Sequence, residues 1–139
     1  MATVLHPLDP LTADEIEQSV QLIKSELKTT NFIYNSITLK EPPKSVLLPY
    51  LDGAYESEIP RKALTILIDK SCGKVKEVVV NISAGTVESI VELPPGKQPT
   101  LTPEDCFDAE RIAKADETVK ERCRLLGNEN MDLVVADPW

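Results

Sequence analysis

The chain has 139 residues, enough for one ordinary domain or for a small domain followed by part of another. Its 15 Lys and Arg against 23 Asp and Glu give a formal net charge of −8. That balance argues against partners such as nucleic acid or an acidic membrane surface, because binding phosphates requires clustered cations. The apolar fraction of 42% is ordinary for a globular protein, and no apolar run reaches the length of a membrane span.

The cysteines and the N-terminal sequence bear on the compartment of the protein. Cys72, Cys106 and Cys123 are odd in number and far apart, and they form neither a CxxC pair nor a secreted disulfide framework. The N-terminus does not show the basic and then apolar pattern of a secretory signal. We therefore expect an intracellular protein whose thiols are reduced and act as small apolar fillers.

The first predicted element is a helix that begins at Thr12. Thr12 followed three residues later by Glu15 is typical of a capping box, in which the hydroxyl and the carboxylate each accept a hydrogen bond from a backbone amide. The apolar residues that follow recur at helical spacing and predict one buried face on a helix of about four turns. They are Ile16, Val20, Ile23 and Leu27.

Four strands are predicted after this helix, over residues 32–39, 62–70, 74–82 and 86–93. The residues between the first two strands, 45–60, show no clear period and contain prolines and a glycine, so we predict a long irregular connection there. Short turn sequences separate the last three strands, which indicates an antiparallel meander. The order of elements predicts an α+β fold with one helix packed on a four-stranded antiparallel sheet.

The proline-rich residues 94–99 are the predicted boundary between two domains, residues 1–95 and residues 96–139. The second domain begins as the first does, since Thr102 can cap a helix that has Pro103 at its first position. A helical region is predicted as far as Leu126, with a break at Asp116 that caps a second segment. Residues 131–136 predict a single strand. Helices with one strand do not complete a sheet, so we expect a truncated second copy of the first domain.

Seven residues are candidates for metal binding, acid/base catalysis or nucleophilic catalysis. They are His6, Glu56, Glu58, Glu104, Asp105, Cys106 and Asp108. The histidine could bind a metal or shuttle a proton, but an exposed or structural role is simpler. The two loop glutamates could form an acid/base pair, or only solvate the loop. The three acids near the second helix start could hold a metal, although the helix dipole already accounts for them. The cysteine could have a lowered thiol pKa, yet no histidine partners it. We assign no catalytic, cofactor-binding or metal-binding residue to the chain.

Four motifs, taken in order, resemble the N-terminal region of copper amine oxidases. They are His-Pro-Leu-Asp-Pro-Leu-Thr at residues 6–12, Leu-Lys-Glu-Pro-Pro-Lys at 39–44, Pro-Pro-Gly at 94–96 with Leu-Thr-Pro-Glu at 101–104, and Asp-Pro-Trp at 137–139. The likeness covers almost the whole chain and is closest to fungal and plant-type members. It implies a cystatin-like fold for each domain, with residues 1–95 as the first small domain (N2-like) and 96–139 as an incomplete second one (N3-like).

The resemblance also implies a function for the intact protein. That protein would be an enzyme, a primary amine oxidase that uses copper and topaquinone to convert amines to aldehydes with release of ammonia and hydrogen peroxide. The catalytic machinery belongs to a later domain of the family. The present chain would be the non-catalytic N-terminal part, at the channel entrance and on the periphery of a homodimer, with the remainder of the oxidase chain as its partner.

None of the family's catalytic residues can be placed on this chain. The cofactor tyrosine of the family lies in an Asn-Tyr-Asp/Glu motif, which Tyr34, Tyr50 and Tyr55 do not match. The copper site needs three imidazoles, and His6 is the only histidine of the sequence. We therefore expect no copper or topaquinone within this segment, and no activity from the segment alone.

A second hypothesis comes from a different functional class. The chain could be a free-standing, cystatin-like protein-interaction module without enzymatic activity, although the inhibitory QxVxG loop pattern is missing. The length of the native transcript would separate the two hypotheses. The compartment is expected to be the cytoplasm or the peroxisome, and the peroxisomal address of such proteins is read at the C-terminus.

Overall fold

The structure is a computed structural model that describes residues 6–54 and 58–137. The elements follow one another in this order: α1 (Ala13–Leu27), β1 (Phe32–Leu39), α2 (Lys44–Leu51), β2 (Lys62–Asp69), β3 (Val75–Asn81), β4 (Thr86–Glu92), α3 (Pro103–Ala115), α4 (Glu117–Leu125) and a 3₁₀ turn (Met131–Leu133). The chain divides into two compact units, Met1–Pro99 and Thr100–Trp139. Within the described residues, no helix is both long and apolar enough to cross a membrane.

The first unit is an α+β fold built on one antiparallel sheet. The strand order β1-β2-β3-β4 follows the chain, and every neighbouring pair is antiparallel. Helix α1 packs on the sheet at β3 and β4. The predicted fold of one helix on a four-stranded antiparallel sheet is confirmed, and each predicted strand agrees with the observed strand within one residue at each end.

Both edge strands of the sheet carry an irregularity. The pairing of β1 with β2 shifts between Tyr34 and Ser36, and the pairing of β4 with β3 passes over Glu88 between Val87 and Ser89. A bulge in an edge strand bends the strand and disturbs its outward row of hydrogen-bonding groups. The two bulges therefore oppose edge-to-edge pairing of this sheet with another chain.

The main core of the first unit lies between α1 and the sheet. Its buried side chains are Ile23, Phe32, Ala63, Leu67, Val78, Val80 and Ile82. The helix face was predicted only in part. Ile23 is fully buried, but Ile16 and Val20 are half-buried, while the polar Ser19 is fully buried. The Ser19 hydroxyl donates to the carbonyl of Glu15 at 2.7 Å, so this small residue lies in the interior without an unpaired donor.

The prediction of an irregular connection over residues 45–60 is wrong at its start, because α2 occupies Lys44–Leu51. Pro43 precedes the helix, and Pro49 lies inside it. Two turns are too short for an apolar period to stand out, and an internal proline normally indicates the end of a helix. The helix ends at Asp52, whose N–H donates to the carbonyl of Leu48 at 3.0 Å.

The helices of the second unit begin as the sequence predicts. Thr102 and Asp105 form a complete capping box at the start of α3, with Pro103 in its first turn. Asp116 ends α3 and caps α4, where its side chain accepts from two backbone amides. Gly127 follows α4 with a φ of +84°, a left-handed conformation that suits glycine at a helix end.

The strand predicted over residues 131–136 is not formed. Met131–Leu133 is a 3₁₀ turn, and the described residues after it belong to no sheet. The side chain of Asn130 accepts from the backbone amide of Asp132 at 2.9 Å, which favours a turn at this point. A strand needs a neighbour for its backbone groups, and the second unit contains no other strand among its described residues.

Candidate functional site

Arg61, the residue before β2, is the centre of a polar cluster at one end of the first unit. Its Nε donates to Glu15 Oε1 at 2.6 Å and its Nη2 donates to Glu15 Oε2 at 3.0 Å, so the ion pair is bidentate. The guanidinium also donates to the carbonyl oxygens of His6 at 2.8 Å, Asp9 at 3.0 Å and Pro10 at 3.1 Å. Arg61 therefore fastens the segment before α1 to both α1 and β2.

Glu15 takes part in this cluster and in the helix cap at the same time. Its Oε2 accepts from the backbone amide of Thr12 at 2.8 Å, while the Thr12 hydroxyl accepts from the Glu15 amide at 3.2 Å. The hydrogen bonds from Arg61 hold the pKa of Glu15 below its ordinary value, against the opposing effect of burial. Both carboxylate oxygens are occupied, which makes Glu15 a structural anion and a poor general base.

His6 is part of the same segment and is used to shape it. Its backbone amide donates to Asp9 Oδ2 at 2.7 Å, and its Nδ1 accepts from the amide of Leu8 at 3.2 Å. The ring lies edge-on to Tyr50, with 5.7 Å between the centroids. A copper centre of the kind implied by the sequence needs three imidazoles, and the whole sequence contains one. The residues of this chain do not fit a copper centre.

The tyrosines do not fit a quinone cofactor either. Tyr34 lies in β1, its hydroxyl is buried without a hydrogen-bond partner among the described residues, and burial raises its pKa. Tyr50 lies in α2 against the His6 ring, and Tyr55 is outside the described residues. None of these positions has the sequence around it that the family uses to form the cofactor.

The candidate acidic residues that the structure describes occupy ordinary structural positions. Asp105 completes the α3 cap, and Asp108 pairs with Arg111 at 3.0 Å on the exposed surface. Glu58 is exposed in a loop, and Glu56 falls outside the described residues. Over residues 6–54 and 58–137, no group of three or more His, Cys, Asp or Glu side chains could hold a metal ion.

The three cysteines are free thiols in separate places. Cys72 is exposed in the turn between β2 and β3, while Cys106 and Cys123 are half-buried on α3 and α4. The expectation that all of them fill apolar space is therefore wrong for Cys72. Cys72 lies in a surface turn, and the small apolar side chain of cysteine does not predict such an exposed position.

An open groove of about 560 Å³ lies within the second unit, between α3 and the 3₁₀ turn. Its lining comprises Phe107, Glu110, Arg111, Lys114, Ala115, Met131 and Asp132. The two basic side chains are already paired, Lys114 with Glu110 at 3.3 Å and Arg111 with Asp108 at 3.0 Å. The lining contains no cysteine, serine or histidine nucleophile, so the groove has no evident chemistry of its own.

Comparisons with known proteins agree on one family. The family described as "Copper amine oxidase, N2 domain" matches residues 6–92. "Copper amine oxidase 1" of Schizosaccharomyces pombe is 35% identical and covers 96% of this chain, which corresponds to 19% of that protein. "Peroxisomal primary amine oxidase" of Pichia angusta is 32% identical and covers 90% of this chain, which corresponds to 18% of that protein.

A solved structure shows the same relationship in three dimensions. A copper-containing benzylamine oxidase from Hansenula polymorpha superimposes with a TM-score of 0.76 at 26% sequence identity, over 97% of this chain and 22% of its own. The chain thus spans about a fifth of the length of the relatives that it matches. The match over residues 6–92 and these relatives together show that the chain belongs to the copper amine oxidase family, within its N-terminal region.

Proposed function

We propose that the chain is the N-terminal, non-catalytic part of a primary amine oxidase that depends on copper and topaquinone. In the intact enzyme, the remainder of the polypeptide would oxidise a primary amine to an aldehyde, with release of ammonia and hydrogen peroxide. The relatives match nearly all of this chain while extending far beyond it, which supports this assignment. The chain would border the entrance of the amine channel at the periphery of a homodimer.

One structural observation carries the proposal, namely that residues 100–137, the described part of the second unit, include no buried side chain. Within the described helices α3 and α4, no residue is buried. Seven large apolar side chains in this unit are between 61% and 80% exposed: Leu101, Phe107, Ile112, Leu125, Leu126, Leu133 and Val135. Exposed apolar side chains at this density mark a surface that further polypeptide covers, and so short a segment seldom folds without such support.

The domain assignment belongs to the same proposal. Residues 1–95 form a first small domain with its own core, and residues 96–139 form the opening of a second small domain that is completed by later sequence. The peroxisomal relatives in Pichia angusta and Nicotiana tabacum support a peroxisomal location over the cytoplasm.

Two measurements test the function. We expect the native reading frame to continue past Trp139 and to encode an Asn-Tyr-Asp/Glu site and a His-x-His pair. We also expect the purified 139-residue chain, incubated with copper(II) in air, to develop no quinone absorbance and to release no peroxide from benzylamine or methylamine. A reading frame that stops at Trp139, or copper-dependent peroxide release, would contradict the proposal.

Limited proteolysis followed by mass spectrometry tests the domain assignment. We expect early cleavage after Lys97 or within residues 114–130, and a resistant core that ends between Leu93 and Lys97. A first stable fragment that begins near Thr100, or early cleavage inside residues 62–93, would show that the assignment is wrong.

A further inference from the structure

The sheet of the first unit has a second face, opposite α1, which we call the outer face. The pairing register places on it the residues that alternate with the main core. Its aliphatic members come from all four strands: Ile33, Leu64, Ile66, Ile68, Val75, Val79 and Val91. Five of these seven side chains are already buried or half-buried, with Val75 at 6% exposure, and the two exposed members are Ile33 and Val91.

The part of the outer face that β2 forms is more apolar than a strand face in contact with water would be, with Leu64, Ile66 and Ile68 in succession. Strand β2 runs Ala-Leu-Thr-Ile-Leu-Ile over residues 63–68, so apolar side chains lie on both faces of the sheet, with Thr65 as the one polar residue of the run. Antiparallel strands with one solvated face normally alternate apolar and polar residues, whereas near-continuous apolar runs occur where both faces are covered. Ile33 and Val91 nevertheless remain 42% and 50% exposed. This pattern is typical of a face that is covered in the assembled protein.

Glu77 lies in the middle of this aliphatic surface. Its cross-strand neighbours are Ile66 on β2 and Val91 on β4, and it is half-buried. Among the described residues, no hydrogen bond or ion pair involves its carboxylate. The other acids of strands β2 to β4 each pair with a lysine, at 3.3 Å for Asp69–Lys76, 2.7 Å for Glu88–Lys62 and 2.6 Å for Glu92–Lys74. Within the described sheet, Glu77 is thus the one acidic residue that does not pair with a lysine.

The carboxylate restricts what can cover the outer face. An apolar surface laid over Glu77 would bury an unpaired charge, which is strongly unfavourable unless the covering surface brings a cation. A second copy packed face to face around a two-fold axis through the middle of this surface would bring Glu77 against its own equivalent, and the chain already carries a net charge of −8. A segment with apolar side chains and one lysine or arginine satisfies both the aliphatic residues and the charge.

We propose that the outer face docks a segment of the same oxidase polypeptide from outside residues 1–139, and that a lysine or arginine of this segment pairs with Glu77. The inference rests on the proposed function, because the source of the segment is the remaining part of the oxidase. It goes beyond the proposed function in two respects. It identifies the outer face as the surface that contacts the rest of the oxidase, and the carboxylate of Glu77 as the charge that pairs with the docked segment. The sheet thereby acts as a two-sided layer between α1 and the rest of the enzyme.

Photo-crosslinking in the full-length oxidase chain tests the contact. The photoreactive residue p-benzoylphenylalanine is placed at Ile33 on the rim of the outer face, or at Gln21 on the exposed surface of α1 as the control. We expect an adduct from position 33 alone, to a peptide that lies outside residues 1–139 and contains a lysine or arginine. An adduct to residues 1–139 of any copy, an adduct to a different protein, or a yield at position 33 no higher than at position 21 would overturn the proposal.

A charge-reversal cycle tests the role of Glu77. We expect Glu77→Lys to lower the crosslink yield from position 33 by about ten-fold or more, and reversal of the partner cation to glutamate to restore it. Glu26→Lys makes the same charge change on the exposed surface of α1 and should leave the yield within about two-fold. An equal loss in both variants, or no loss from Glu77→Lys, would contradict the pairing. An active full-length oxidase without the crosslink would overturn this inference alone, whereas a reading frame that stops at Trp139 would overturn the proposed function as well.

Discussion

Arg61 and Glu15 are 46 residues apart in the sequence, yet two hydrogen bonds of 2.6 Å and 3.0 Å join their side chains. The side chains are only 10% and 12% exposed, so water screens the pair weakly. Because Arg61 also binds three carbonyl oxygens before α1, one guanidinium connects the N-terminal segment, the helix and the sheet. The relative position of α1 and β2 depends on this cluster.

The first prediction concerns the geometry of this cluster. Arg61→Lys keeps the charge but loses the planar set of donors, so it leaves at least two acceptors unpaired. We expect the free energy of unfolding to fall by about 2–4 kcal/mol, measured by urea unfolding with far-UV circular dichroism. Lys74→Ala removes the exposed ion pair with Glu92 and should change the same quantity by no more than about 0.5 kcal/mol. Equal effects of the two substitutions would contradict the structural role of Arg61.

The second prediction is a loss of stability in acid. The folded state lowers the pKa of Glu15 through its hydrogen bonds with Arg61, and lowers the pKa of Asp69 to about 2 through its bonds with Ser71. A lowered carboxyl pKa contributes stability above the unfolded pKa, and this contribution is lost as the pH falls through the folded pKa. We expect the free energy of unfolding to be nearly constant above about pH 6 and to fall progressively below about pH 4.5.

Glu15→Gln provides the matched variant for this acid titration. It removes a carboxyl group whose pKa is lowered in the folded state, so its stability should be lower at neutral pH and should decline less steeply in acid. Urea unfolding of both proteins at several pH values measures the difference. Parallel pH profiles for the two proteins would show that Glu15 does not contribute to the acid dependence.

The third prediction concerns an unpaired hydroxyl in the core. Thr65 is fully buried, and its Oγ1 has no hydrogen-bond partner among the described residues. Thr65→Val retains the shape and removes the unpaired group, so we expect a gain of about 1 kcal/mol in unfolding free energy. Thr65→Ala also removes the hydroxyl but leaves a cavity, and it should be less stable than the valine variant by about 1 kcal/mol or more. A valine variant less stable than wild type would mean that the hydroxyl is satisfied in solution.

The fourth prediction distinguishes the observed helix face from the one expected from the sequence. Ile23 is fully buried, so Ile23→Ala should cost about 2–4 kcal/mol of unfolding free energy. Val20 is half-buried, and Val20→Ala should cost less than about 1.5 kcal/mol. Lys24→Ala is the control on the same helix and should change stability by no more than about 0.5 kcal/mol. Equal costs at Val20 and Ile23 in urea unfolding would favour the face expected from the sequence.

Several features of this protein could be predicted because they depend on residues close together in the chain. The caps at Thr12 and Thr102 join groups three residues apart, and both form as predicted. Asp116 caps α4 for the same reason. The strand segments are rich in β-branched residues and are separated by short turns, so their positions and antiparallel order follow from local sequence. The sequence motifs also indicate the family to which the chain belongs.

Other features depend on contacts that no local pattern encodes. Ser19 lies on α1, which packs on the sheet, and it is fully buried, although a polar side chain does not predict burial. Lys44–Leu51 forms a helix despite Pro49, and Met131–Leu133 turns where an apolar run predicted a strand. The role of Arg61 was not predicted, since its partners lie about fifty residues earlier in the chain. Local hydrogen bonds and the spacing of apolar side chains determined where most elements begin and end. Packing between distant segments decided which faces are buried and which charges are paired, because the energy of those contacts exists only once the chain has folded.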